Sequence, residues 1–231
     1  MTYLTELNQQ LDAKHLLKHS FYQHYWTEGK LNKEYLGFYA TQYFHHVDAF
    51  PRYLSATHAN CEDLPTRQIL LDNLIDEERG DENHPELWLR FAEAVGQSRE
   101  SVQHANLLPE TKALVDTFLS LAKSSYAEGL GALYTYERQV PEVAKSKIEG
   151  LKKFYGIDAD EAIKFFTVHI EADEWHSEET AALMEKLSPA EKVKASAAAN
   201  KAADALWNFL SGVQRETIGN NIHRATTATI H

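Results

Sequence analysis

FFTVHIEADEWHSEET (165–180) places two histidines and an aspartate where a buried helix would carry leucines. The stretch belongs to a segment, 159–186, whose inward positions step by four and three through Ala162, Phe166, His169, Asp173, His176 and Thr180. That spacing keeps one helical face toward a core. At 100° per residue, His169, Asp173 and His176 lie within roughly 40° of a common direction. Phe165, Phe166, Ala172 and Trp175 flank them, which predicts that this is not a plain solvated face. Burying an unpaired carboxylate costs several kcal/mol, and a metal ion offsets that cost. Imidazole and carboxylate are a common ligand set. On spacing alone the stripe reads equally as a metal-binding face or as a partly exposed one closed by ordinary hydrogen bonds.

Helical signals extend outward in both directions. Asp158-x-x-Glu161 and Ser188-x-x-Glu191 have the form of capping boxes, the second with Pro189 in the first helical position. They predict helices over 159–186 and 189–215. Leucine spacing predicts a helix over 3–18, and an aromatic segment, 20–28, ends at Gly29. Asn32 caps a helix over about 33–59 that Pro51 should kink or break. Further helices follow from Pro65 to Glu78, from Asn83 to Val95, from Pro109 to 124, over 127–138, and from a break at Pro141 to Phe154. No strand pattern occurs. The reading is an all-α, single-domain bundle over 1–218, with 219–231 (GNNIHRATTATIH) as a flexible tail.

Composition narrows the function. The 231 residues carry a formal net charge of −11, which argues against non-specific binding to nucleic acid. No run of 18 apolar residues occurs, so no membrane span is expected, and the N-terminus lacks the basic and apolar stretches of a secretory signal. Cys61 is the one cysteine, too few for a disulfide or a cysteine-based zinc site. A cytoplasmic location is the expectation.

Two other places offer metal ligands. Glu77 shares a helical face with Leu70, Asn73 and Leu74. Gly80 and Pro85 interrupt the helix before His84, so only the connecting turn can bring Glu77 and His84 together. Taken alone, Asp76-Glu77-Glu78 reads as surface charge before a loop. Glu137 follows Leu130, Leu133 and Tyr134 on an apolar segment; if buried it needs a partner, with Arg138, Lys147 or a metal as candidates. Glu77, His84, Glu137, His169, Asp173 and His176 together could hold two divalent ions, as helical bundles do, although the usual Glu-x-x-His pattern is absent.

At these residues the chain resembles the bacterial family named after the Chlamydia protein associating with death domains, within the haem-oxygenase-like superfamily. AFPRYLSATH (49–58), LLDNLIDEE (70–78), NHPELW (83–88), ALYTYE (132–137) and HIEADEWH (169–176) occur in order with the family's spacing, and the similarity spans about residues 4–215. The resemblance implies a seven-helix haem-oxygenase-like fold. It implies a two-metal site of iron, manganese or both, on Glu77, His84, Glu137, His169, Asp173 and His176, that activates molecular oxygen with electrons from an external reductant. It also implies synthesis of 4-aminobenzoate, a folate precursor, from the enzyme's own side chains. The matching positions are Tyr22 for the ring, with Tyr25 competing because of a one-residue insertion, Lys147 for the nitrogen, and Tyr39 beside them. A homodimer is expected, without nucleic-acid or membrane partners. Two competing readings are a hydrolase like the type II thiaminases, which needs a nucleophilic cysteine at the pocket, and a non-catalytic interaction protein presenting Trp26, Tyr35 and Phe38 to a partner.

Overall fold

Most helix starts are fixed by a side chain that accepts a hydrogen bond from the first turn. In the computed structural model, which describes residues 2–219, Thr2 caps α1 (Tyr3–Asp12), Asn32 caps α2 (Lys33–Ala59) and Asp63 caps α3 (Leu64–Glu78). Asn83 caps α4 (His84–Ala94) and Ser98 caps the short α5 (Arg99–Gln103). Then follow α6 (Pro109–Ser124), α7 (Tyr126–Glu137), α8 (Val140–Tyr155), α9 (Asp160–Lys186) and α10 (Pro189–Gln214). The side chains of Glu171, Asp173 and Glu174 and the residues 220–231, which include almost all of the expected tail, lie outside the described residues. No strand occurs among the described residues, and no helix there is long and apolar enough to cross a membrane.

The all-α expectation holds; the count of seven does not. Ten α-helices stand among the described residues; seven was the count the resemblance implied, and the segments read from the residues themselves lack only the short α5. The first predicted helix stops at Asp12, and Leu16–Lys18 forms a separate 3-10 turn with the backbone N–H of Leu16 donating to Gln139 Oε1 (3.0 Å). Phe21–Trp26 is a π-helical turn closed by Gly29 at φ +67°. At the other end, a π-helical turn (Arg215–Gly219) extends the chain's helical path to Gly219.

The prolines behave unequally. Pro141 and Pro189 sit in first turns, where no N–H is needed. Of the kink or break expected at Pro51, the break does not occur: α2 runs through it, with Phe50, Tyr53 and Leu54 buried around it. The capping box at 188–191 forms, with both reciprocal bonds present. The one expected at 158–161 does not: Ala159 is the N-cap of α9 and makes no side-chain bond. Glu161 instead accepts from Arg90 Nη1 (2.7 Å), while Lys164 donates to Glu82 (2.8 Å), so these charges tie α9 to α4 and the loop before it.

The resulting bundle has α9 in contact with α3, α4, α7 and α8, and α10 laid closely along α7. A Cβ on Gly131 of α7 would lie 2.2 Å from the Ala195 carbonyl of α10, so only glycine permits that approach. Thr135, one turn on, donates to the Ala199 carbonyl of α10 (3.2 Å). α9 therefore stands where side chains from α3, α4, α7 and α8, among its neighbours, can reach it.

Candidate metal centre

Glu77 lies in the last turn of α3 and His84 opens α4. The loop between them turns at Gly80 (φ +83°), a conformation side chains resist, and Asn83 fixes the next helix start. This local geometry brings Glu77 Oε2 and His84 Nδ1 to 2.6 Å, both residues buried. Sequence spacing left that meeting to the turn, and the turn provides it.

The face of α9 behaves as its periodicity predicts. Ala162, Phe166, His169, His176 and Thr180 are all buried. Of the residues flanking the stripe, Phe165 is buried and Trp175 is 50% exposed. The His169 ring packs 4.2 Å from that of His84, and its Nδ1 donates to the Phe165 carbonyl at 2.6 Å. That bond fixes the tautomer that carries its lone pair on Nε2, the usual orienting device for a metal-binding imidazole. Burial, and then the neighbouring His84, hold the His169 imidazole well below its usual pKa, in the neutral form a metal requires.

Glu77, His84 and His169 each offer a donor atom within 4.8 Å of the others. An ion bonded to nitrogen and oxygen at about 2.0–2.2 Å spans donors up to about 4.4 Å apart, so small side-chain movements suffice to seat one. The donor set therefore fits a divalent transition metal.

Glu137, the last residue of α7, is fully buried. The partners first considered for it, Arg138 and Lys147, turn elsewhere: Arg138 donates to Asp12 (2.6 Å) and Lys147 to Tyr39. Its carboxylate accepts from Asn73 Nδ2 at one oxygen and from Thr180 Oγ1 at the other, both at 2.8 Å. Burial raises its pKa, and His176 and the two donors pull it back. His176 Nε2 is 3.1 Å from Asp76 Oδ2. Thus Glu77, His84, Glu137, His169 and His176 come from four helices to one region; the side chain of Asp173 lies outside the described residues.

A second set of predicted residues adjoins the first. Tyr22 and Tyr39 are buried, their hydroxyls 2.9 Å apart, and Lys147 Nζ donates to Tyr39 Oη at 2.8 Å. The ammonium lies 5.0 to 5.7 Å from the ring centres of Tyr22, Tyr39, Tyr43, Trp88 and Phe166. Burial lowers the Lys147 pKa to about 7, so a large share is neutral amine near pH 7. Lys147 and His169 line the same small cavity. Tyr25, the competing tyrosine, is partly exposed.

Several partners were not read as partners in the sequence, although their spacing carried the signal. Asn73 precedes Glu77 by one helical turn, Thr180 follows His176 by one turn, and Tyr43, whose hydroxyl donates to Tyr136 (3.0 Å), follows Tyr39 by one turn. Asp76 was noticed only as part of a charged run. Cys61 is buried in the α2–α3 connection, with Sγ directed at the Asp63 carbonyl (3.6 Å), and lines neither the metal cluster nor the lysine cavity. Trp26, expected as an exposed partner surface, is fully buried, and Tyr35 and Phe38 are partly so; all three pack on the core.

Residues 38–208 match the family model described as iron-containing redox enzyme, of haem-oxygenase type. A protein of Nitrosomonas europaea named 4-aminobenzoate synthase is 43% identical over 100% of this chain and 98% of its own length. One of Chlamydia pneumoniae with the same name is 44% identical over 91% of this chain and 94% of its own. Among solved structures, a TenA homologue from Pseudomonas syringae superposes with a TM-score of 0.77 at 19% identity, covering 92% of this chain and 93% of that one, a likeness of fold.

Proposed function

The chain belongs to the iron-containing redox enzyme family of haem-oxygenase-like fold, and we propose that it acts as its full-length relatives are named, as a 4-aminobenzoate synthase, drawing the product from its own Tyr22 and Lys147. The metal ligands in this reading are Glu77, His84, Glu137, His169, Asp173 and His176. Iron, manganese or one of each, held there in reduced form by an external donor, supplies the electrons for dioxygen reduction.

The observation that carries the reading is the chain of contacts from Tyr22 to Tyr39 to Lys147, at 2.9 and 2.8 Å, beside the Glu77–His84–His169 cluster. In 4-aminobenzoate the carboxyl carbon and the nitrogen sit on opposite ends of one ring. A tyrosine ring already has a carbon at one end and an oxygen at the other. One dioxygen cleaves Cα–Cβ, oxidising Cβ to the carboxyl and leaving a glycyl residue. The Lys147 nitrogen then displaces the phenolic oxygen as water. A second dioxygen, with two electrons from the external donor, oxidises the lysine Cε to an aldehyde, breaking Nζ–Cε and freeing the aromatic amine. The Tyr39 hydroxyl lies between the lysine nitrogen and the Tyr22 oxygen that nitrogen would replace, positioned to pass a proton from one to the other. Burial in an aromatic wall keeps Lys147 available as a nucleophilic amine at neutral pH and excludes water from the oxidised ring.

The competing readings have less support. A thiaminase-like hydrolysis needs a thiol at the pocket, and Cys61 lies in the α2–α3 turn. An interaction scaffold has no use for a buried glutamate gripped by two donors.

The test is isotopic. Protein grown on ring-labelled tyrosine is stripped of metal, loaded with iron and manganese, reduced and exposed to dioxygen. Labelled 4-aminobenzoate, with a matching loss of mass from the protein, is the expected result. Product that carries no label refutes self-supply.

A further inference from the structure

His169 and His176 lie two turns apart on one face of α9, and each has a ring nitrogen engaged by an oxygen. For His169 the partner is neutral: Nδ1 donates to the Phe165 carbonyl of the same helix at 2.6 Å. For His176 it is a carboxylate from another helix: Nε2 is 3.1 Å from Asp76 Oδ2 on α3. Resting on the ligand set of the reading above, to which Asp76 does not belong, we propose that Asp76 is a positioning residue for His176. It keeps the ring proton on Nε2 and so turns the lone pair of Nδ1 to a divalent ion.

The chemistry of the contact gives the assignment. An ionised carboxylate only accepts, so the hydrogen between the two groups belongs to Nε2. In a neutral imidazole the other nitrogen then carries the lone pair. That atom, Nδ1, is shut off from solvent. Thr180, one turn further along α9, donates to Glu137 at 2.8 Å, which brings a buried carboxylate to the same stretch of the helix. The two histidines thus bind through different nitrogens: His169 through Nε2, His176 through Nδ1.

The partners are also unequal in strength. A hydrogen bond to a charged acceptor is about twice as strong as one to a neutral acceptor. It raises the basicity of the imidazole, and outer partners of this kind are worth about 10–100-fold in metal affinity. The Asp76 side chain is 46% exposed, against 1% for His176, so solvent screens part of its charge. The expected effect therefore lies at the lower end of that range. The same exposure, on the rim of a surface hollow that Asp76 shares with Glu82 and His84, means that its replacement leaves no hole in the core.

Asp72 supplies the control. It stands one turn earlier on α3, is exposed, and carries a charge that acts on Glu179. Its removal changes the net charge by the same amount as removal of Asp76.

Nitrogen-15 spectra of the metal-free protein, labelled at histidine and held at mildly alkaline pH, read the tautomer directly. The native protein should show the His176 proton on Nε2. Asp76→Ala should spread it over both nitrogens and leave His169 unchanged. Manganese(II) titrations of the metal-free protein, with free ion followed by EPR, should show one ion bound roughly tenfold more weakly in Asp76→Ala. Asp72→Ala should bind as the native protein does. Asp76→Asn keeps the shape and an acceptor oxygen but not the charge; it should lose several-fold in affinity, and it decides the matter if Asp76→Ala does not fold. An unaltered tautomer and affinity would overturn the proposal. So would an equal loss in Asp72→Ala, which would reduce the effect to net charge. Tautomer and affinity altered as expected, with no 4-aminobenzoate released by the native protein, would refute the synthase reading and leave the role of Asp76 standing.

Discussion

Burial moves the Lys147 ammonium from its ordinary value near 10.5 down to about 7. The unfolded chain then holds a proton on this residue between pH 7 and 10.5 that the folded chain has lost. Stability must rise with pH across that window, and below about pH 7 the folded protein carries the full cost of a buried charge. Lys147→Met removes the charge while keeping the length of the side chain. Relative to the native protein, it should be more stable at pH 6, by an amount on the order of 5 kcal/mol at the limit, with the gap closing toward pH 10. Denaturant titrations of both proteins at several pH values measure this; a gap that does not change with pH means that Lys147 is not buried as described. Glu137 gives the complementary case. Thr180→Val keeps the shape but leaves one carboxylate oxygen without its hydroxyl donor. The expected cost is about 1–3 kcal/mol in the metal-free protein, read by denaturant unfolding. If Glu137 binds metal as proposed, metal should restore part of that loss by taking up the oxygen. Helical pattern alone could not establish either burial, since a lysine and a glutamate on helices are usually exposed and only tertiary packing reverses that default; it was the family resemblance that singled out both residues.

The elements themselves were largely legible, and the exceptions have local causes. His169 and His176 could be found because a regular helix maps spacing onto direction, so polar residues on an apolar stripe stand out. Glu77 and His84 could not be paired in that way, because a turn through a left-handed glycine has no fixed direction that spacing can reveal. The failed capping box at 158–161 shows a tertiary ion pair with Arg90 prevailing over a local motif. Pro51 shows packing prevailing over a proline inside a helix. The approach of α7 to α10 rests on Gly131, and α7 delivers Glu137 at its end. Gly131→Ala places a Cβ against backbone rather than against a side chain that can move. It should cost about 1–3 kcal/mol, measured by thermal unfolding, and reduce the metal retained after dialysis, because α7 must shift to accept it. Full stability and full metal content in this variant would show that the two helices are less tightly fixed than the geometry indicates.

For the molecule as a whole, the fold class and most segments followed from helical periodicity and capping residues, while the short α5 and the break after Asp12, which depend on which segments dock, did not. The bundle arranges two kinds of chemistry around one long helix. α9 presents His169 and His176 to carboxylates and an imidazole brought by α3, α4 and α7, while α8 sets Lys147 among aromatic rings at the same end. Under the proposed function, separation of those two sets would leave the metal site without its substrate and the lysine without an oxidant. The most direct check is an anomalous-scattering map, recorded at the iron and manganese edges from crystals of the metal-loaded, oxygen-free protein. The account predicts two peaks among Glu77, His84, Glu137, His169 and His176, with the side chains of Tyr22, Tyr39 and Lys147 intact alongside. Peaks bound away from these residues, or no peak in a protein that nonetheless yields 4-aminobenzoate, would contradict it.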